Sequence, residues 1–293
     1  VSKHSNIYRG IILILAATLC IVLMNTCAKM SSAAHGPIEM VFFRGVIVLA
    51  LLVPYMLLRR PLSVFKTKRW KAHLYRAFVG NLAVGFVFWA YSLLPMADAT
   101  SLLFAAPLFV TMLSPLLLNE RVDRYRWFAV IVGLGGILLI AKPSADILSR
   151  PASLIGLTAA LFVALVNIEL RNLGRTDDPL TTVFYFMLIG VLISGPYTLL
   201  FGSWPDGETR YWIIGIGIFA AAQQLTKTAA YRYAEASLLA PWTYSSILWA
   251  IITGWIFWHE FPGPAALAGM AVVIGSNLFN LWREAKMNRQ IEK

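Results

Sequence analysis

Apolar residues run along this chain in long blocks, broken at short intervals by turn chemistry. The blocks predict helical spans at about residues 8–30, 38–58, 72–94, 98–118, 125–142, 153–172, 179–201, 211–233, 236–258 and 263–283. Each approaches the ~20 apolar residues that a helix needs to cross a bilayer. Gly36-Pro37, Pro61, Pro95, Pro143, Pro151, Asp178-Pro179, Pro205-Asp206-Gly207 and Pro262-Gly263-Pro264 separate them. Almost no loop remains between the third and fourth spans, or between the eighth and ninth, so those pairs are expected as tight antiparallel hairpins. Arg9 precedes the first run and Ser31-Ser32-Ala33-Ala34 offers small residues, as a removable signal would. The run from Ile11 to Met30 is long for that, and it is read as a retained first helix.

Composition supports the same picture. Of 293 residues, 59% are hydrophobic and 13% charged, against ~25% charged in soluble domains. An apolar exterior suits lipid, where backbone groups must be satisfied inside each helix. The net charge is +11, which in a soluble chain would raise nucleic acid as a partner. Here the basic residues gather in alternate loops. Arg59, Arg60, Lys66, Lys68, Arg69 and Lys71 follow the second span, and Arg121, Arg124 and Arg126 follow the fourth. That bias places both termini in the cytoplasm and argues against nucleic acid. Cys20 and Cys27 share one helical run, too far apart to bridge.

The chain also matches itself. Shifted by 142 residues, Asn25 meets Asn167, Lys29 meets Arg171, Pro37 meets Pro179, Phe42 meets Phe184, and Pro54-Tyr55 meets Pro196-Tyr197. Shifted by 140, Ala90-Tyr91 meets Ala230-Tyr231, Glu120 meets Glu260, and Gly135 meets Gly275. Two units are expected, 1–145 and 150–293, together forming one membrane domain. Each holds five spans. Five is odd, so the second copy enters the membrane from the opposite side. An inverted repeat is the usual basis of alternating access in secondary transporters.

Ala99-Thr100-Ser101-Leu102-Leu103-Phe104-Ala105-Ala106-Pro107, then Leu116 to Arg121, then Gly133 to Leu139 resembles the signature of the drug/metabolite transporter superfamily, in its EamA-like ten-helix branch. Ala236 to Pro241, Gly254 to Glu260 and Gly269 to Gly275 repeat the form. The likeness covers essentially the whole chain. Within the superfamily the chain is most similar to bacterial exporters of aromatic and other neutral amino acids. The resemblance implies a ten-helix bundle in a bacterial inner membrane, with a central cavity between its halves. It also implies a small-molecule substrate, an amino acid, leaving the cytoplasm by that route. Drugs, nucleobases and other small metabolites are alternative substrates for the same fold. Oligomeric state stays open: Ala129/Gly133 and Ala265/Gly269 fit helix contacts within or between protomers.

Polar groups within spans are costly unless paired or wet, so they are the candidates for the cavity. Asn25 and Asn167 hold equivalent positions, as cavity amides or as interhelical hydrogen bonds. Asn81, Gly85, Phe88 and Ser92 share one face of the third span, with Trp89 adjacent. Gln223, Gln224 and Lys227 make the eighth span the least lipid-like, and Lys227 either snorkels or meets a substrate carboxylate. Tyr244, Ser245 and Trp249 in the ninth span offer aromatic stacking. Pro54, Pro107, Pro115 and Pro196 are candidate kinks that free carbonyls for gating. Arg44 is read as pairing with Glu39 or snorkelling, and Glu120 and Glu260 as structural. No carboxylate is expected at mid-membrane, which favours facilitated export or coupling without a buried acid. The chain has no Gly-x-x-x-x-Gly-Lys-Ser/Thr, so ATP does not drive it directly. His259-Glu260 begins a zinc-protease motif that Gly263 breaks. Neither a catalytic group, a metal nor a cofactor is expected.

Overall fold

A computed structural model describes residues 3–60, 65–67, 69–117, 122–141, 151–173, 179–233 and 239–291. Among these the chain is helical, with no strand. The helices are α1 (Lys3–Ser31), α2 (Pro37–Arg59), α3 (Trp70–Leu93), α4 (Met96–Leu103), α5 (Ala106–Leu117), α6 (Arg124–Ala141), α7 (Pro151–Leu173), α8 (Pro179–Phe201), α9 (Thr209–Tyr233), α10 (Ser245–Trp258) and α11 (Pro264–Ile291). A 3-10 turn, η1 (Ala240–Tyr244), leads into α10. The pair α4–α5 forms the fourth span and η1–α10 the ninth, giving ten. By length and hydropathy alone, seven segments are fit to cross a membrane. The eighth span, α9, is not among them, because Gln223, Gln224 and Lys227 interrupt its apolar run.

Local chemistry sets the ends. Pro37 opens α2, where its missing N–H costs nothing. The Gly36 N–H donates to the Glu39 carboxylate at 3.2 Å, so Glu39 closes the first turn. Arg44 therefore does not pair with Glu39; that carboxylate is taken by Gly36, by His35 Nδ1 at 3.0 Å and by the Ser203 N–H at 3.2 Å. The fourth span breaks at Phe104-Ala105, whose N–H groups reach back only three residues, to Ser101 and Leu102. Pro107 sits in the first turn of α5 directly after the break, so it marks a new helix start and does not bend a helix interior. The Asn277 amide of α11 caps the Phe104 carbonyl at 3.1 Å, as irregular backbone at membrane depth demands. Pro54, Pro115 and Pro196 lie inside α2, α5 and α8.

Packing follows a pseudo-two-fold axis. Helix α1 packs along α9, and its repeat equivalent α7 packs along α3. The equivalent pairs α2–α8 and α6–α11 also meet, and the equivalent fourth and ninth spans meet through α4 and α10. Equivalent residues touch on the axis: Phe104 and its counterpart Tyr244 stack at 4.7 Å, and Arg44 stands 5.2 Å from the ring of its counterpart Phe186. Helices α6 and α11 come together through Gly136 and Gly269. A Cβ on Gly269 would lie 2.5 Å from the Gly136 carbonyl oxygen, and one on Gly136 would lie 2.9 Å from that of Gly269. Gly133 is packed by Leu108 and Ser276. The small residues Gly133 and Gly269 thus serve contacts within one chain.

Candidate functional site

A cavity of about 580 Å³ lies between the two repeats. Side chains from α1, α2, α3, α4, α7, α8, α9 and α10 line it, whereas α6 and α11 contribute none. Its walls are mostly apolar and small: Gly80, Ala83, Val84 and Val87 from α3, Val163 and Val166 from α7, and Ala220 from α9. Polar groups punctuate that wall in the way a metabolite site requires. They are Asn25, Thr100, Asn167, Thr182, Gln223, Gln224, Lys227, Thr228, Tyr231 and Ser246, together with two guanidinium groups, Arg44 and Arg76.

The two arginines are 5% and 7% exposed. Both stand over one ring, Phe186, at 5.2 and 5.0 Å. Arg76 also donates from Nη1 to the Thr182 carbonyl at 3.2 Å. The Nε atoms of Arg44 and Arg76 are buried without a hydrogen-bond partner among the described residues. Lys227, one helix away, is exposed to the cavity. The charge of Arg76 acts on both Arg44 and Lys227. The carboxylate whose charge is felt at Arg76 is Glu169 of α7, which does not line the cavity. Among the described residues, no Asp or Glu lines it.

The two ends of the cavity differ. At the end where α1 finishes, Tyr91 is 1% exposed and bonds Thr100 Oγ1 at 2.8 Å. Val22, Met96, Ala99 and Ala250 pack with it. Beyond that layer, Lys29 Nζ reaches both oxygens of Glu260 at 2.9 and 3.0 Å and the Leu94 carbonyl at 3.0 Å. The Met96 N–H donates to Glu260 at 3.3 Å, and Lys29 lies 4.6 Å over Trp258. Glu260 is aimed there because α10 ends on His259 in the left-handed region, φ 54°. At the opposite end Tyr231, the repeat counterpart of Tyr91, is 44% exposed. Its neighbour Lys227 lies six residues from the end of α9, roughly 9 Å along the helix. Glu120 and Glu235 fall outside the described residues.

The candidates drawn from sequence are divided by the structure. Asn25, Asn167, Gln223, Gln224 and Lys227 line the cavity together. Asn81 does not. It turns from the cavity and donates to the Ala77 and Phe186 carbonyls at 2.8 and 3.1 Å, clamping α3 to α8. Asn81, Gly85 and Trp89 instead line an apolar exterior cleft of about 480 Å³ between α2, α3 and α8. Phe88 is buried in the core with Met24 and Ala28, and Ser92 returns its hydroxyl to the Trp89 carbonyl. The cavity face of α3 is thus the adjacent one, through Arg76, Gly80, Ala83, Val87 and Tyr91. Tyr244 stands behind Phe104 and does not reach the cavity. Ser245 bonds Thr18 at 2.7 Å, leaving Ser246 to line the wall. Trp249 packs beside Val22 and Tyr91 with its Nε1 buried. None of the four prolines lines the cavity.

Arg76 is the residue that the sequence did not bring forward, and Arg44, read there as pairing with Glu39 or snorkelling, lines the cavity instead. The available signal is that a cation inside a span is a functional candidate by default. Arg76 stands so near the start of its span that it reads as an interfacial anchor.

Comparison with known proteins decides the class. The EamA-like transporter family matches residues 8–142 and 150–282, one match to each repeat. The chain belongs to the EamA-like transporter family. It is therefore a multi-pass membrane transporter of small molecules, built from two five-helix repeats. An uncharacterized transporter of Helicobacter pylori is 30% identical over 283 residues, spanning 94% of this chain and 95% of that one. The pseudopaline exporter CntI of Pseudomonas aeruginosa is 29% identical over 271 residues, 90% of this chain and 93% of its own. A riboflavin transporter of Vibrio cholerae is 29% identical over 296 residues, 98% and 97%. Relatives of equal similarity bear different substrate names, so membership sets the machinery and leaves the substrate to the cavity.

Proposed function

We propose that this EamA-like transporter exports amino acids or amino-acid-like metabolites from the bacterial cytoplasm by alternating access. Both termini are cytoplasmic in this reading, following the basic loops. The observation that carries it is one cavity shared by both repeats, closed off by Tyr91 and the Lys29–Glu260 layer at the end where α1 finishes, with Tyr231 44% exposed at the other end, which is taken as the open one. A carrier at rest facing the cytoplasm has this form: cargo enters past Tyr231 and Lys227, and the Lys29–Glu260 layer bars the far side. Arg44, Arg76 and Lys227 are suited to receive a carboxylate, the Asn25, Asn167, Gln223 and Gln224 amides to orient a polar backbone, and the small apolar wall to accept a side chain. Pro54 and Pro196, equivalent in the two repeats, are proposed as bending points during the switch.

Trp89, Tyr244 and Trp249 are not at the cavity, but Tyr91, Phe104, Phe186 and Tyr231 line it, so its wall accepts aromatic as well as smaller side chains. The relatives' names favour a second reading, export or exchange of other small metabolites through the same cavity. With no carboxylate among the described residues lining it, transport is proposed to be facilitated or exchange-driven. Reconstituted liposomes test the function. Counterflow of amino-acid-like solutes that is lost in Asn167→Leu and Gln223→Leu variants supports it. Counterflow unaffected by both variants overturns the cavity assignment, and uphill uptake driven by a pH gradient alone overturns the coupling.

A further inference from the structure

Among the described residues the cavity wall holds three cations and no acid, and this bears on what it carries. Resting on the transporter reading above, we infer that among amino-acid-like metabolites the cavity prefers those bearing two or more carboxylates, and so a net negative charge, over net-neutral ones. A zwitterion brings one ammonium for each carboxylate. An amino-acid carrier therefore gains from an acid or a cluster of carbonyls facing the ammonium. Here the charged groups on the wall are Arg44, Arg76 and Lys227, and the carboxylate acting on Arg76, Glu169, stands off the wall.

The arginines are placed for planar anions. A guanidinium offers a rigid fork of donors that matches a carboxylate with two parallel bonds. Both guanidiniums stand over the Phe186 ring, 5.2 and 5.0 Å from its centre. Arg44 and Arg76 line the cavity while more than nine-tenths buried, and the Nε of each has no hydrogen-bond partner among the described residues, so neither guanidinium is fully satisfied by the protein. Buried charge without a counter-ion is strongly unfavourable. Open to water, the cavity tolerates it. Glu169 offsets part of the charge at Arg76 from off the wall, but closing around the three like charges still removes solvation, so an anion inside favours occlusion. The same electrostatics that bind a polycarboxylate thus couple its binding to the switch. Lys227, at the mouth, adds a mobile point charge that meets the anion first.

The test uses the full-length protein in detergent and in liposomes. Thermal unfolding is recorded against a charge-matched set: succinate, citrate, glutamate and N-acetylglutamate as net anions, with glutamine, phenylalanine and lysine as controls. Net anions are expected to raise the unfolding temperature more than the controls do. In Lys227→Gln and Arg76→Gln, anion affinity falls about tenfold or more, as for a lost charge-assisted bond, and Lys227→Arg retains it. If Arg76→Gln fails to fold, Lys227→Gln carries the test, because that side chain is exposed to the cavity and packs no core. Stabilisation by glutamine or phenylalanine equal to that by the anions overturns the inference, as does no stabilisation by any anion. The transporter reading is judged separately: anions that bind yet show no counterflow in liposomes would refute it and leave the anion site standing.

Discussion

Tyr91 and Tyr231 occupy equivalent positions in the two repeats and have opposite surroundings. Tyr91 is buried, hydrogen bonded to Thr100, and roofed by the Lys29–Glu260 pair. Tyr231 stands exposed at the mouth of the cavity. Two copies of one fold thus hold different conformations at once. In an inverted repeat, exchanging those conformations exchanges which end is open. In the alternating-access reading proposed above, that asymmetry is one state of the carrier and the symmetry is the route by which it changes.

The comparison can be broken at several points. The largest effect is expected at the α6–α11 pair, which lines no part of the cavity and serves both ends as scaffold. Gly136→Leu drives a side chain into the Gly269 backbone and is expected to cost about 3 kcal/mol or more, read as loss of monodisperse protein in detergent. Glu260→Ala comes next. It strips Lys29 of its counter-ion and frees the Met96 N–H, weakening the sealed end by about 2 kcal/mol, and solute access from that side is expected to rise. Tyr91→Phe loses one buried hydrogen bond, about 1 kcal/mol, whereas Tyr231→Phe is expected to be neutral. Equal thermal shifts for these two variants would erase the difference between the ends.

The smallest effect concerns pH. Asp123 opens α6, accepting the Arg126 N–H at 2.8 Å and pairing with Arg283 at 3.0 Å. Burial tends to raise its carboxyl, but those two partners outweigh it and hold the group below its ordinary 3.8. A depressed carboxyl stabilises the fold above its ordinary value and ceases to as pH falls through the depressed one. Arg283→Gln is thus expected to cost under about 1 kcal/mol at neutral pH. Its deficit relative to the parent protein should shrink on acidification below pH 3.8. A deficit constant with pH would contradict the pairing.

The bundle was legible in the sequence because span length, Pro-Gly punctuation and five-span parity are one-dimensional signals. Asn25 and Asn167 were found the same way, through the repeat. The face of α3 was not. The polar residues Asn81 and Ser92 satisfy backbone carbonyls, while Gly80, Ala83 and Val87 form the wall, so polarity pointed one position away from the cavity. Tyr244 and Trp249 misled for a related reason: in a bundle, large aromatics fill space between helices as readily as they line a site. Arg44 and Arg76 gain their meaning only from Phe186, a partner some hundred or more residues away that no local pattern reveals.

Accessibility of the cavity from each side of the membrane tests the central claim most directly. With Cys20 and Cys27 replaced, Gln223→Cys is alkylated by an impermeant reagent in vesicles of either orientation. Reaction is expected from the side where α9 ends and not from the side where α1 ends, with Glu260→Ala opening the second route. Labelling of Gln223→Cys from the α1-finishing side alone, or equally from both sides in the otherwise native protein, would contradict a cavity sealed by Lys29 and Glu260.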